Sequence, residues 1–125
     1  MNTREKILQL QALLERAAEA RAAGRRIVLA AGRFDLISLE AIESLGSAGK
    51  GGALVVAVVA PDSAGSGLLS AEARAQLIAA LASVDLVVIG AAGALREALR
   101  PDQYVEIPAN LASELIERFR LEHRE

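Results

Sequence analysis

Three short apolar runs limit how this chain can fold: Ile27–Ala31, Leu54–Val59 and Leu86–Ile89. Each contains β-branched residues and each is preceded by turn chemistry. A strand with one wet face alternates apolar and polar side chains, whereas an unbroken apolar run reads as a strand buried on both faces, as in a parallel sheet. Helical stretches separate the runs. Leu39–Ser47 is one, and Ala71–Ala82 is another, with Ser70 placed to cap it and Ala73, Leu77 and Leu81 on one face beside Ile78. A short helix near Leu95–Leu99 and a weaker strand, Tyr104–Ile107, follow. At the start, Ile7, Leu10, Leu14, Ala17 and Ala20 recur at helical spacing and predict a helix over Thr3–Ala23, capped by Asn2 or Thr3 and ended by Gly24. A last helix from about Leu111 is expected to bury Leu115, Ile116 and Phe119. Strands alternating with helices predict an α/β fold, a three-layer, doubly wound parallel sheet of four to five strands. A single domain over residues 1–125 is expected, with no internal repeat or linker.

Composition narrows the function classes. The chain is 53% hydrophobic and 24% charged, which excludes a disordered polymer. Its aromatics are Phe34, Phe119 and Tyr104 and its net charge is −2, so neither base stacking nor phosphate-backbone binding is supported, and no nucleic-acid partner is expected. There is no Cys, and the only His is His123, in a charged tail where solvation is the expectation. Thiol catalysis, disulfides and Cys/His metal sites are excluded together. No apolar run approaches the roughly 18 residues of a membrane span, and Met1–Lys6 carries no signal-like stretch, so a cytoplasmic protein without a membrane partner is expected.

In an open parallel sheet, ligands bind at the carboxyl ends of strands, where the strand order reverses. The first such end is Ala30–Ala31–Gly32–Arg33–Phe34–Asp35–Leu36, where Gly32 permits a sharp turn and a close phosphate. Many sheets place a glycine there for the turn alone. Residues 24–36 as a whole resemble the start of the cytidylyltransferase-like nucleotidylyltransferases, above all the ADP-heptose synthase nucleotidylyltransferase domain, and next glycerol-3-phosphate cytidylyltransferase. That family reads Gly-Cys-Phe-Asp-Leu-Leu-His-x-Gly-His after its first strand. Arg74–Val88 is similar to the family's Arg-Ala-x-x-Leu-Ala-Ala-Leu-x-x-Val-Asp-x-Val-Val, and Leu99–Asp102 to its Leu-Arg-Pro-Asp. The resemblance spans most of the chain in the right order and implies a Rossmann-like nucleotide-binding fold.

At the catalytic positions the chain departs from the family. His-x-Gly-His falls on Ser38–Leu39–Glu40–Ala41, which removes both imidazoles that stabilise charge on the phosphates and adds a carboxylate. The loop Pro61–Leu68 has no basic residue where the family carries a Lys. The family's Lys-Gly-Gly-Asp becomes Glu106–Ile107–Pro108–Ala109, and its late Ser/Thr-rich motif becomes Asn110–Leu111–Ala112–Ser113. The resemblance therefore implies no catalytic residue. It implies residual nucleotide or phosphate contacts at Gly32, Arg33, Phe34, Ser38, Arg74 and Ser113.

Each of these also has a plainer reading. Arg33 is either an anion contact or a solvated loop arginine, and Arg74 either a phosphate ligand or a solvent-paired helix residue. Asp35 braces its own loop, and Ser38 caps a helix, since no His lies near to activate it. Lys50, in Gly49–Lys50–Gly51–Gly52, lacks the spacing of a phosphate loop and precedes a strand, so a turn is expected.

Three functions compete: a catalytically degenerate binding or assembly module, an active enzyme with Arg33, Arg74 and Mg²⁺ in a rearranged site, and a self-associating structural domain. No cofactor is expected, Mg²⁺ accompanying a nucleotide only if the enzyme is active. The expected partners are a nucleotide or sugar phosphate and, by resemblance, a second copy in a homodimer. That dimer would use Ile7, Leu10, Leu14 and Ala17 of the first helix, or Leu115, Phe119 and Leu121 of the last. The competing reading is that both stripes cover their own sheet.

Overall fold

The apolar runs become adjacent parallel strands. The computed structural model describes residues 3–34, 39–62 and 70–107. It contains α1 (Leu10–Ala22), β1 (Ile27–Gly32), α2 (Leu39–Ala48), β2 (Leu54–Val59), α3 (Ala71–Ala79), β3 (Leu86–Ile89), α4 (Ala92–Leu99) and β4 (Gln103–Glu106). The sheet order is β3-β2-β1-β4, parallel throughout, with Ile27 opposite Leu54, Val28 opposite Gln103, and Val56 opposite Leu86. Because side chains alternate across a strand, the runs supply two cores. Ile27, Leu29, Val56, Val58 and Leu86 meet α1 and α4 on one face. Ala30, Val55, Ala57, Val59 and Val87 meet α2 and α3 on the other. The three-layer, doubly wound architecture is the one the sequence predicts, with four strands among the described residues. No described helix is long and apolar enough to cross a membrane.

A sheet apolar on both faces has a register problem. Alternation normally fixes register, because a one-residue slip exposes the core face. Here a slip exchanges one buried apolar set for another, so something polar must fix it. Two aspartates do this, each one residue before its strand. The Asp85 N–H donates to the Val55 carbonyl at 3.0 Å, and its carboxylate accepts the Val55 N–H at 2.8 Å. Asp102 repeats the arrangement on β1, donating to the Ile27 carbonyl at 2.9 Å and accepting the Ile27 N–H at 2.8 Å. Arg25 adds a third tie at this end, donating from Nε to the Gly52 carbonyl at 2.9 Å and lying 3.8 Å from the Asp85 carboxylate.

The first helix differs from its expectation. Thr3–Lys6 is a 3-10 turn, residues 7–9 are extended, and α1 begins only at Leu10. Ile7 forms a parallel bridge with Val87, and the Leu8 N–H donates to the Val87 carbonyl at 2.8 Å. Lys6 Nζ donates to the carbonyls of Leu81 and Val84 at 3.2 and 2.9 Å. β3 lies at the end of the sheet, and these bonds to its free edge outweigh two more turns of helix. The buried stripe of α1 is Leu13, Ala17 and Ala20, leaving Leu14 half-buried and Leu10 exposed. The stripe expected to meet a second copy thus mostly covers its own sheet.

α3 shifts in the same way. It ends at Ala79, and its buried set is Ala71, Arg74, Ala75, Ile78 and Ala79, with Leu77 exposed. The expected strand Tyr104–Ile107 runs one residue earlier, and the short helix begins at Ala92. The last helix expected from the sequence, with Leu115, Ile116, Phe119 and Leu121, falls outside the described residues, as do Asn2, Asp35 and His123.

Asp85→Ala and Asp102→Ala each leave a strand N–H without its acceptor, a loss of about 1–3 kcal/mol. Urea unfolding of each variant should show a lower midpoint of that size, partly restored by Asn, whose carboxamide oxygen still accepts.

Candidate functional site

The strand order reverses between β1 and β4, so the carboxyl end of β1 is where a ligand crevice is expected. β1 leaves the sheet at Gly32. Phe34 then adopts φ 55°, the left-handed region, and is buried. Such a residue costs roughly 1–2 kcal/mol, recovered here by packing its ring into the core of α2 and α3. A Cβ on Gly32 would lie 3.2 Å from the Phe34 ring and 3.3 Å from Ile107 Cβ. Gly32 is therefore needed for this ring to fold back over the strand end. The Ile107 N–H closes the β4 side by donating to the Ala31 carbonyl at 2.8 Å.

Arg74 dominates the polar chemistry of this end. It projects from the second turn of α3 and is 1% exposed, the one buried charged side chain among the described residues. Its guanidinium donates to the Arg33 carbonyl. It also lies 3.5 Å from the carboxylate of Asp62, whose side chain is more than half exposed. Arg74 Nε has no hydrogen-bond partner among the described residues. Asp62 also accepts the Ala71 N–H at 2.8 Å, while Ser70 Oγ caps the same helix through the Ala73 N–H at 3.1 Å. Arg74 thus ties three segments: the end of β1, the residues after β2, and α3. A buried cation needs this partner set, since an unpaired charge in the core costs far more than the pair contributes.

Of the six positions singled out in the sequence, the structure brings Gly32, Arg33, Phe34 and Arg74 together at one strand end. Ser38 and Ser113 lie outside the described residues. Arg74 is not solvent-paired, and Arg33 meets it through its backbone carbonyl while its side chain stays exposed. In the first turn of α2, Glu40 is exposed and the Ala41 methyl is buried. Lys50 begins a 3-10 turn that Gly51 and Gly52 complete with φ 76° and 78°, at the amino end of β2 and away from the strand-end site. Sequence reasoning did not find Asp62 as the partner of Arg74, because the two meet only once β2 and α3 are packed. No group of three or more His, Cys, Asp or Glu among the described residues is placed to hold a metal ion.

Gly32→Ala should destabilise the domain by about 1–3 kcal/mol through crowding of Phe34 and Ile107. A double-mutant cycle of Arg74→Met and Asp62→Ala, read by thermal unfolding, should give a coupling of about 0.5–3 kcal/mol. Strict additivity would show that the pair does not act as a unit.

The chain matches no protein-family model, and no curated protein matches its sequence. Among solved structures it is similar to the lipopolysaccharide core biosynthesis protein from Thermoplasma volcanium GSS1. The two share 26% identity and superpose with a TM-score of 0.60, over 78% of this chain and 88% of that one. That likeness agrees with the parallel α/β architecture described above.

Proposed function

We propose that this chain is a nucleotidylyltransferase-like domain that does not transfer nucleotides and serves as a binding or assembly module. One observation carries the reading: Arg74, the cation buried at the strand ends, is enclosed and committed to the Arg33 carbonyl and Asp62. Transfer of a nucleotidyl group needs donors aimed at charge that develops on the phosphates, and they must be free to meet it. A guanidinium held inside the protein contributes nothing to that charge unless the packing of β1 and α3 opens. Beside it, the first turn of α2 offers Glu40 and the Ala41 methyl where the resembled family has Gly and His. Each missing donor costs on the order of 10²–10³ in rate, and a carboxylate facing a polyphosphate adds repulsion. The two histidines of the resembled motif fall on Ser38 and Ala41, and two such losses leave negligible turnover.

The likeness to a lipopolysaccharide core biosynthesis protein supports the nucleotidylyltransferase-like fold in this reading. A nucleotide or sugar phosphate at this end would rely on the open backbone at Gly32, the Arg33 side chain and the Phe34 turn, with Arg74 behind them; Ser38 and Ser113 are assigned to it by the resemblance alone. This set favours retention of a ligand over its conversion.

The test is pyrophosphate release from CTP or ATP with glycerol 3-phosphate or heptose 1-phosphate and Mg²⁺, for which no turnover above background is expected. Turnover abolished by Arg74→Met would overturn the proposal. In the same series, a bound nucleotide at 100 times its dissociation constant should stabilise the fold by about 2.7 kcal/mol, read as a rise in Tm.

A further inference from the structure

One oxygen atom serves two positive groups at the amino end of α3. Asp62 Oδ1 accepts the Ala71 N–H at 2.8 Å and lies 3.5 Å from Arg74 Nη2. An oxoanion makes the same two contacts at such a place. It takes the first N–H of a helix, where the dipole favours negative charge, and it faces a guanidinium. Ser70 Oγ serves a later N–H of the same turn, that of Ala73. The Asp62 carboxylate therefore stands where a phosphoryl group would stand.

Its fit there is incomplete. A guanidinium carries two parallel N–H groups along its Nε and Nη2 edge, a fork that matches two oxygens of a carboxylate or phosphate. Arg74 uses its other nitrogen, Nη1, on the Arg33 carbonyl. On the fork edge, Nη2 meets the Asp62 oxygen at 3.5 Å, whereas a well-formed charged pair closes to about 2.8 Å. Arg74 Nε is buried and has no hydrogen-bond partner among the described residues. Three donors, the Ala71 N–H, Nη2 and Nε, thus share one carboxylate oxygen among the described residues. A buried donor left unmade is costly, and this one lies on the edge that binds oxoanions. The carboxylate itself is not buried: the Asp62 side chain is 59% exposed, against 2% for Arg74.

We infer that Asp62 is an autoinhibitory contact. It fills an oxoanion site formed by the Ala71 N–H and the Nε and Nη2 edge of Arg74, and a phosphoryl group binds there when Asp62 swings out. The inference rests on the reading of this chain as a module that retains a phosphate ligand, and it names what regulates that site. A phosphoryl group brings three acceptor oxygens and a charge of roughly −1.5 to −2, against the single charge of a carboxylate. It can serve all three donors at once. Pairs with an exposed partner are weak, so Asp62 leaves the fork without unfolding the domain. The other carboxylate of this turn, Glu72, is two residues from Arg74 and so on the opposite side of the helix, where it borders a hollow with Ile7, Leu8 and Ile89. While Asp62 stays in place, the guanidinium belongs to the packing. A ligand meets only the fraction of chains in which Asp62 is withdrawn, so a contact closed about nine-tenths of the time weakens it about tenfold.

The test is isothermal titration with inorganic phosphate, against sodium chloride of equal ionic strength, on the native chain and on Asp62→Ala. The variant should bind phosphate at least about tenfold more tightly. It should melt below the native chain without phosphate and recover in it, and its Ala71 amide resonance should move during the titration. Ser70→Ala loses a helix cap but keeps the anion position, so it should melt lower with no larger phosphate response than the native chain. That control separates binding at the site from general salt stabilisation of a weakened fold. Arg74→Lys added to Asp62→Ala should abolish the gain, since Lys keeps the charge without the fork. Asp62→Asn keeps an oxygen for the Ala71 N–H and drops the charge; it should show a smaller gain, and it carries the comparison if Asp62→Ala does not fold. Glycerol 3-phosphate binding more tightly than inorganic phosphate would assign the site to a phosphate ester, and equal binding to the free anion.

Equal phosphate affinity with and without Asp62 would overturn the inference, as would no binding to either chain or an equal gain in Ser70→Ala. Asp62 would then be a structural clamp alone. Pyrophosphate release is followed on the same samples. Release by the native chain would count against the loss of nucleotide transfer, while the phosphate comparison, which needs no turnover, decides the role of Asp62.

Discussion

The sheet depends on a polar contact at its amino ends. Its strands are apolar on both faces, which drives burial but specifies register poorly. Asp85 and Asp102 supply the specification, each binding both backbone groups of one residue on the neighbouring strand. A slip by one residue would break four hydrogen bonds and leave two carboxylates without their donors. With register fixed at that end, the positions of Gly32, Arg33, Phe34 and Ile107 at the other end are fixed as well.

At that carboxyl end, one buried guanidinium organises the chain. Arg74 donates to the Arg33 carbonyl and pairs with the Asp62 carboxylate, and Asp62 in turn holds the start of α3. The crossovers from β1 and from β2 are thereby joined through one side chain. In a site open to phosphate, such a cation would face outward. Here burial and internal pairing make it part of the scaffold, and while Asp62 holds it the same residue type serves packing instead of ligand charge.

The two sides of the sheet also divide the work. The α1 and α4 side carries mixed surface charge, with the Tyr104 ring beneath the Arg96 guanidinium at 4.3 Å. On the α2 and α3 side Leu39, Ile42 and Leu77 stay exposed.

Much of this was legible in the residues themselves. The apolar runs determined the strands, their lack of alternation determined a parallel sheet covered on both faces, and Ser70 marked the start of α3. That Ser38 and Ala41 stand where the resembled family has two histidines also needs no structure to be seen. Only the tertiary structure decided the phase of the helices and the partners of the charges. Local periodicity placed Leu10 and Leu77 on buried faces, yet Leu13 and Arg74 hold those places, because a helix turns to fit the sheet beneath it. Ile7 left the first helix because an unpaired strand edge lay within reach. Arg74, which the sequence left as either a phosphate ligand or a solvent-paired helix residue, is instead buried against Asp62, since their meeting depends on two crossovers packing side by side. Sequence fixes what each segment prefers locally; desolvation and pairing across distant segments fix which preference is kept.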